Sequence, residues 1–218
     1  MPKIFLRSLL FVGLCAFTLG LAAPAKAIVI LSNLPGTTSG GTELNFTIKA
    51  VGLTVGSNDL SFTSLTALFS NLTNDAQAVV GGIFADAGGD PGAQLVAFNP
   101  GSIAAGAGGV QETFTAVASF TLMANTSYWF VLRNQNVLGS VFWNSVASNP
   151  APTPSVEVSY DGYVFSLDGV NWSGSGVFNG VQIEASRIAV LPEPGTLAVF
   201  GLGLLGLGVA RRRVRAQV

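Results

Sequence analysis

The 218-residue sequence predicts an all-β fold, an antiparallel β-sandwich of jelly-roll-like kind. Three observations lead to it. Between Ile28 and Val190 no segment keeps a helical period over about twelve residues. Short runs rich in Val, Thr, Phe, Tyr and Trp alternate apolar and polar side chains, as a pleated surface with one buried face requires. Gly, Pro, Asn and Asp gather between those runs, and the chain's 27 glycines and 10 prolines are dense enough to end many short strands.

Met1–Ala27 reads as a secretory signal peptide. Lys3 and Arg7 give a positive start, Ser8–Ala23 is an apolar stretch, and Ala25-Lys26-Ala27 is a small-x-small cleavage site. The mature chain then begins near Ile28, with the Sec translocon and signal peptidase as its first partners. Cys15, the only cysteine, lies inside the removed stretch, and Leu14 before it fits a lipoprotein acceptor poorly. The exported domain therefore enters an oxidising compartment without disulfides and relies on its core alone.

Residues 28–190 form one domain of about 163 residues, enough for a sizeable core. Leu44–Ala50 alternates with period two and reads as its first clear strand. Leu60–Phe69, Ala78–Phe84, Phe114–Leu122, Ser127–Leu132, Ser140–Asn144, Val156–Phe165 and Val181–Ala185 follow. Phe46, Ile48, Phe120, Leu122, Val131 and Ile183 are expected in the core. Turns are expected at Gly40-Gly41, Gly56–Asp59, Gly88–Gly92, Asn99–Gly101, Asn149–Pro154 and Asp161-Gly162. Eight or nine strands result, the count of a sandwich.

Charge and composition narrow the chemistry. In the domain Lys49, Arg133 and Arg187 stand against ten acidic residues, a formal charge of −7, although the whole chain has −1. An acidic, lysine-poor surface does not suit nucleic acid or anionic lipid. The chain has no histidine and the mature domain no cysteine, which excludes His/Cys zinc sites and every triad that needs an imidazole or thiol. Glu43, Glu112, Glu157 and Glu184 sit in no glycosidase-like motif, so no catalytic residues are assigned and no enzyme is expected.

Two ligand readings stay open. Asp86 and Asp90, with the Gly88 and Gly89 carbonyls, offer oxygens for calcium; the competing reading is a tight Asp-Pro-Gly turn that needs no cofactor. Trp172, beside Gly174 and Gly176, and Trp143 are candidates for stacking on a sugar; the competing reading places such rings in the core. Tyr128 or Trp129 should face inward while the other lies on a sheet surface.

Residues 191–218 have three ordered segments: Leu191-Pro192-Glu193-Pro194, an apolar run Gly195–Ala210, and Arg211-Arg212-Arg213 with Arg215. Sixteen residues at 1.5 Å rise span about 24 Å as a helix, short of a hydrocarbon core of about 30 Å. The arginines stop transfer and keep that end in the cytoplasm, with everything upstream outside. This tail resembles the PEP-CTERM sorting signal of bacteria that make exopolysaccharide. The resemblance implies that an exosortase, a membrane-embedded cysteine protease, recognises Pro192, Glu193 and Pro194 and removes a transient transmembrane helix. The exported protein would then reach the cell surface or the extracellular matrix.

A second resemblance concerns the domain. Phe120-Thr121-Leu122 with Ala124–Leu132, the Phe84–Leu95 turn region and Ser166–Trp172 look like exported choice-of-anchor domains, particularly type R. It covers roughly Leu60 to Ala185 and implies a surface-displayed β-domain with no defined activity. The expectation is a non-enzymatic surface or matrix protein with a structural or adhesive role near exopolysaccharide. The alternative is a carbohydrate-binding module for that polymer.

Overall fold

The longest strand shows how the sequence makes this fold. Along Leu60–Asn71 (β4) Leu60, Phe62, Leu65, Ala67 and Phe69 are buried, while Thr63 is exposed and Ser61, Thr66 and Ser70 are half-buried. The parity changes at Thr63, where the pairing with the last strand slips by one residue in a β-bulge. The computed structural model describes residues 26–136 and 139–188. Among them are fifteen strands, numbered here in chain order, and no helix.

The first sheet holds eight: β1 (Ala27–Ser32), β2 (Thr38–Glu43), β4, β8 (Val110–Phe114), β9 (Thr121–Leu122), β11 (Val141–Val146), β12 (Thr153–Pro154) and β15 (Val181–Arg187). The second holds seven: β3 (Ile48–Val55), β5 (Gln77–Asp86), β6 (Pro91–Ala97), β7 (Gly101–Ile103), β10 (Ser127–Asn134), β13 (Val158–Ser166) and β14 (Trp172–Gly174). All pairings are antiparallel. The first sheet runs β12-β1-β15-β4-β11-β2, with β8 and β9 also on β4; the second runs β14-β13-β3-β10-β5-β6, with β7 on β5. Only β5–β6 and β13–β14 are pairs consecutive in sequence. Most other connections cross from one sheet to the other, while β1–β2, β6–β7, β8–β9 and β11–β12 stay within a sheet without pairing, the crossed wiring of a β-sandwich.

The core lies between the sheets. Leu65, Phe69, Phe114, Trp143 and Ile183 meet Val51, Leu53, Ile83, Phe130 and Leu132 from the other side. Phe62 links the layers, 5.6 Å from Phe98 and 5.7 Å from Phe130 between ring centres. Each such side chain contributes about 1.5–3 kcal/mol by leaving water.

Several local expectations need correction. Residues 44–47 are not in a strand, and Phe46 is 71 % exposed instead of buried. The ladder is diverted there because the Asn45 side chain accepts hydrogen bonds from Val141 N and Asn134 Nδ2, both at 3.3 Å. Strand β3 starts at Ile48 and runs to Val55. Its inward residues are Lys49, Val51, Leu53 and Val55, so Ile48 and Ala50 face out and Lys49 faces in.

Phe114–Leu122 is two short strands joined by residues 115–120, which hook across to the second sheet. Val117 N donates to Ala97 O at 2.9 Å and Asn99 N to Thr115 O at 2.8 Å. Of that run Leu122 is buried and Phe120 half-buried. Gly40 and Gly41 lie within β2, not in a turn. Asp161-Gly162 is a bulge inside β13, where Gly162 takes φ 110°, a conformation open to glycine. Val131 and Ile183 are buried as expected.

Candidate functional site

The outer face of the second sheet carries a smaller apolar cluster: Ala50, Trp129, Val131 and Val164, edged by Ile48, Phe84 and Trp172. Alternation along β10 sends Tyr128 into the core and Trp129 outward. Trp129 lies flat on Gly52, where a Cβ would come within 2.8 Å of its ring. Its Nε1 donates to Asp86 Oδ1 at 2.8 Å.

At one end of this face lies a shallow pocket of about 360 Å³. One wall is the loop 44–47. Buried Leu44 anchors it, its N–H donating to Val141 O at 2.8 Å and its carbonyl accepting from Asn134 N at 3.3 Å. Asn45 Nδ2 donates to Glu43 Oε1 at 2.9 Å, so the backbone next to Phe46 is held in place. The other wall is the β13–β14 hairpin. There Asp168 Oδ1 accepts from Val170 N and Asn171 N at 2.8 Å and from Ser166 Oγ at 3.0 Å, while Oδ2 accepts from Asn171 Nδ2 at 2.7 Å. Those donors, the Asn171 N–H foremost, hold the Asp168 carboxyl well below the usual carboxylate range.

Asp168 is thus committed to its own loop, and that loop presents Leu167, 72 % exposed, on the pocket that Phe46 also lines. Between the walls stands Arg133, exposed near the end of β10. Among the described residues the one salt bridge joins Arg187 to Glu157, so no carboxylate pairs with Arg133 within 4.0 Å.

Lys49 sits on the opposite side of the same sheet. It is fully buried, donates to Ser175 Oγ and to Val177 O at 3.1 Å, and lies 5.4 Å from the centre of the Tyr163 ring. Burial without a carboxylate partner pushes its amine down to about 8. Burial likewise pushes the Tyr160 phenol up to about 12 and holds Tyr163, which also feels Tyr160, well above the ordinary value. Tyr163 donates to Asn179 O at 2.6 Å; the Tyr160 hydroxyl has no partner among the described residues.

The residues singled out from sequence are distributed differently. Trp143 cannot stack on a sugar: it is completely buried, 5.8 Å from Tyr163, and its Nε1 donates to Gly180 O at 2.9 Å. Trp172 is half-buried against the outer cluster, with its Nε1 covered and without a partner among the described residues, not free on a rim. Asp86 and Asp90 flank the β5–β6 turn. Asp86 accepts from Gly88 N at 3.1 Å and Gly89 N at 3.1 and 3.2 Å besides Trp129, and Asp90 contributes its backbone carbonyl to Ala87 N. Among the described residues no three acidic, His or Cys side chains gather as a metal site.

Of the glutamates, Glu43 accepts from Asn45 and Ser140, Glu112 from Ser102 N, and Glu184 from Ser64 and Gln182. Ala27 opens β1, so cleavage after it would leave the strand intact from Ile28. Ala25, Pro192, Glu193, Pro194 and Arg211–Arg213 lie outside the described residues, as does the expected 195–210 helix.

Sequence reasoning missed the pocket because Phe46 fits the alternating run on either face. The available signal was the polar pair Asn45 and Thr47 on either side of it. No curated protein matches the chain. Residues 190–213 match the PEP-CTERM protein-sorting motif, and the chain is thereby marked as an exported protein sorted by an exosortase.

Proposed function

We propose that the protein is a non-enzymatic component of the cell surface or extracellular matrix, with a structural or adhesive role beside exopolysaccharide. The sorting motif at 190–213 carries this reading. It is supported by a β-sandwich built without cysteine or histidine and by the resemblance of 60–185 to choice-of-anchor domains, which extends the sandwich assignment to a jelly-roll-like one. The signal peptide delivers the chain to the Sec translocon and signal peptidase. The short apolar segment then holds it in the inner membrane, with Arg211–Arg213 at the cytoplasmic end, until the exosortase cuts at or next to Pro192-Glu193-Pro194.

Mass spectrometry of the protein from its native host tests this. The expected mature form starts near Ile28 and lacks everything beyond Gly195. A mature form that keeps the arginines would make the tail an ordinary anchor.

No cofactor belongs to this proposal. The Asp86 carboxylate already faces three hydrogen-bond donors from its own turn and Trp129. Millimolar calcium is therefore expected to leave the melting temperature unchanged, whereas a bound ion would raise it. The second reading, a carbohydrate-binding module, is favoured by the pocket that Phe46 and Arg133 both line.

A further inference from the structure

We infer that the pocket between loop 44–47 and the β13–β14 hairpin binds a pyranose that carries a carboxylate, one acidic sugar of a polysaccharide at a time. The inference deepens the carbohydrate-binding reading above and rests on it.

The two walls expose side chains that the fold does not use. Phe46 and Leu167 are 71 % and 72 % exposed, on loops whose backbones are fixed by the Asn45 and Asp168 hydrogen bonds. Rigid loops that present apolar side chains to water keep a binding surface ordered in advance, which lowers the entropy cost of binding. A phenyl face is electron-rich and accepts the C–H groups that line one side of a pyranose, while Leu167 supplies a second apolar contact. The volume of about 360 Å³ suits one or two sugar rings.

The charges around the pocket define the polar side of the ligand. Asp168 has four donors of its own and offers little to a sugar hydroxyl. The amide oxygens of Asn45 and Asn134 accept within the protein as well. The Thr47 hydroxyl and Arg133 are the polar groups left over, and Arg133 is the charged one, a planar guanidinium with donors in a fork that matches a carboxylate. Of the three basic residues in the domain, Lys49 is buried and Arg187 is paired with Glu157, so among the described residues of the domain Arg133 is the exposed cation without a carboxylate partner. Asp168 keeps its negative charge on the hairpin wall, so the lining carries one charge of each sign and accepts one acidic ring with its carboxylate on the Arg133 side, while the acidic remainder of the domain repels a densely charged polyanion.

The test is calorimetry on the full chain in detergent, titrated with a tetra-uronate and with its carboxyl-reduced counterpart of equal length. The uronate should bind at least about tenfold more tightly, and raising the salt from about 50 to about 500 mM should weaken it while leaving the reduced sugar's weaker binding in place. Arg133→Gln should abolish the difference between the two sugars, and Phe46→Ala should weaken both about tenfold; both side chains are exposed, so the melting temperature should stay within about 1 °C of the parent. Equal affinity for the two sugars overturns the carboxylate assignment and leaves the carbohydrate-binding reading standing. Uronate binding that survives both substitutions places the site elsewhere. No binding of either sugar removes the carbohydrate reading together with this site.

Discussion

The side chain of Lys49 brings an amine into the packed interior at a desolvation cost. It occupies an inward position of β3 among Val51, Leu53 and Val55, with a serine hydroxyl, one carbonyl and the Tyr163 ring in place of water. A depressed amine means that the folded state releases the proton before the unfolded chain does. Between about pH 8 and 10.5 the unfolded chain binds more protons, so stability should rise with pH across that window and be lowest below it. Above about pH 10 the buried phenols of Tyr160 and Tyr163 oppose the gain, since they keep their protons after the unfolded chain has lost them. Lys49→Met should stabilise the protein at pH 7 by about 1–3 kcal/mol and flatten the alkaline rise. Denaturant melts at pH 7, 8 and 9.5 would show both effects; a Met variant less stable than the parent at pH 7 would mean that the Ser175 and Val177 contacts outweigh desolvation.

At the scale of the strand, glycine decides which side chains can lie flat. Gly52 is the seat of Trp129, whose indole is pinned by Asp86 and cannot swing away. Gly52→Ala should cost about 1–3 kcal/mol by overpacking, and adding Trp129→Leu should recover some of it, as thermal melts of the two variants would show. The same outer cluster explains what the sequence conveyed and what it hid. A strand with one apolar parity, such as β15, is legible because only one of its faces can be the core, whereas β10 is apolar on both faces and its sequence leaves the facing of Tyr128 and Trp129 open. In β3 the apolar parity Leu44, Phe46, Ile48, Ala50 leads onto the outer face, and the inward parity begins with a lysine, so the pattern pointed to the wrong side. Gly40 and Gly41 signalled a turn but lie in a strand paired with β11, because strand pairing overrode local preference there. Of the candidate site the sequence shows only that Arg133 is one of three basic residues in an acidic domain. That Trp143 would be core and Phe46 would be rim depended on contacts between strands far apart in sequence.

Over the whole domain, the two ends of the described chain meet in one sheet. Strand β1 pairs with β15, Ala27 opposite Ser186, and β15 in turn lies between β1 and β4. Ile30 and Leu31 from β1 are fully buried. Removing Ala27–Ser32 should therefore cost two core side chains at about 2–5 kcal/mol each plus a row of ladder hydrogen bonds, most or all of a typical stability of about 5–15 kcal/mol. Circular dichroism of the shortened protein should show an unfolded chain at room temperature; a sharp thermal transition would mean that β15 tolerates a bare edge.

That pairing also sets how the domain responds to being pulled. Tension applied between its two ends arrives at the open end of the β1–β15 ladder, so the hydrogen bonds break in succession and yield at low force. Tension that enters at the Phe46 loop and leaves through the C-terminal end of β15 loads β15 against β1 and β4 together and also draws on β3 and the packed interior between the sheets. A module gripped at its rim is thus mechanically tougher than the same module stretched by its ends.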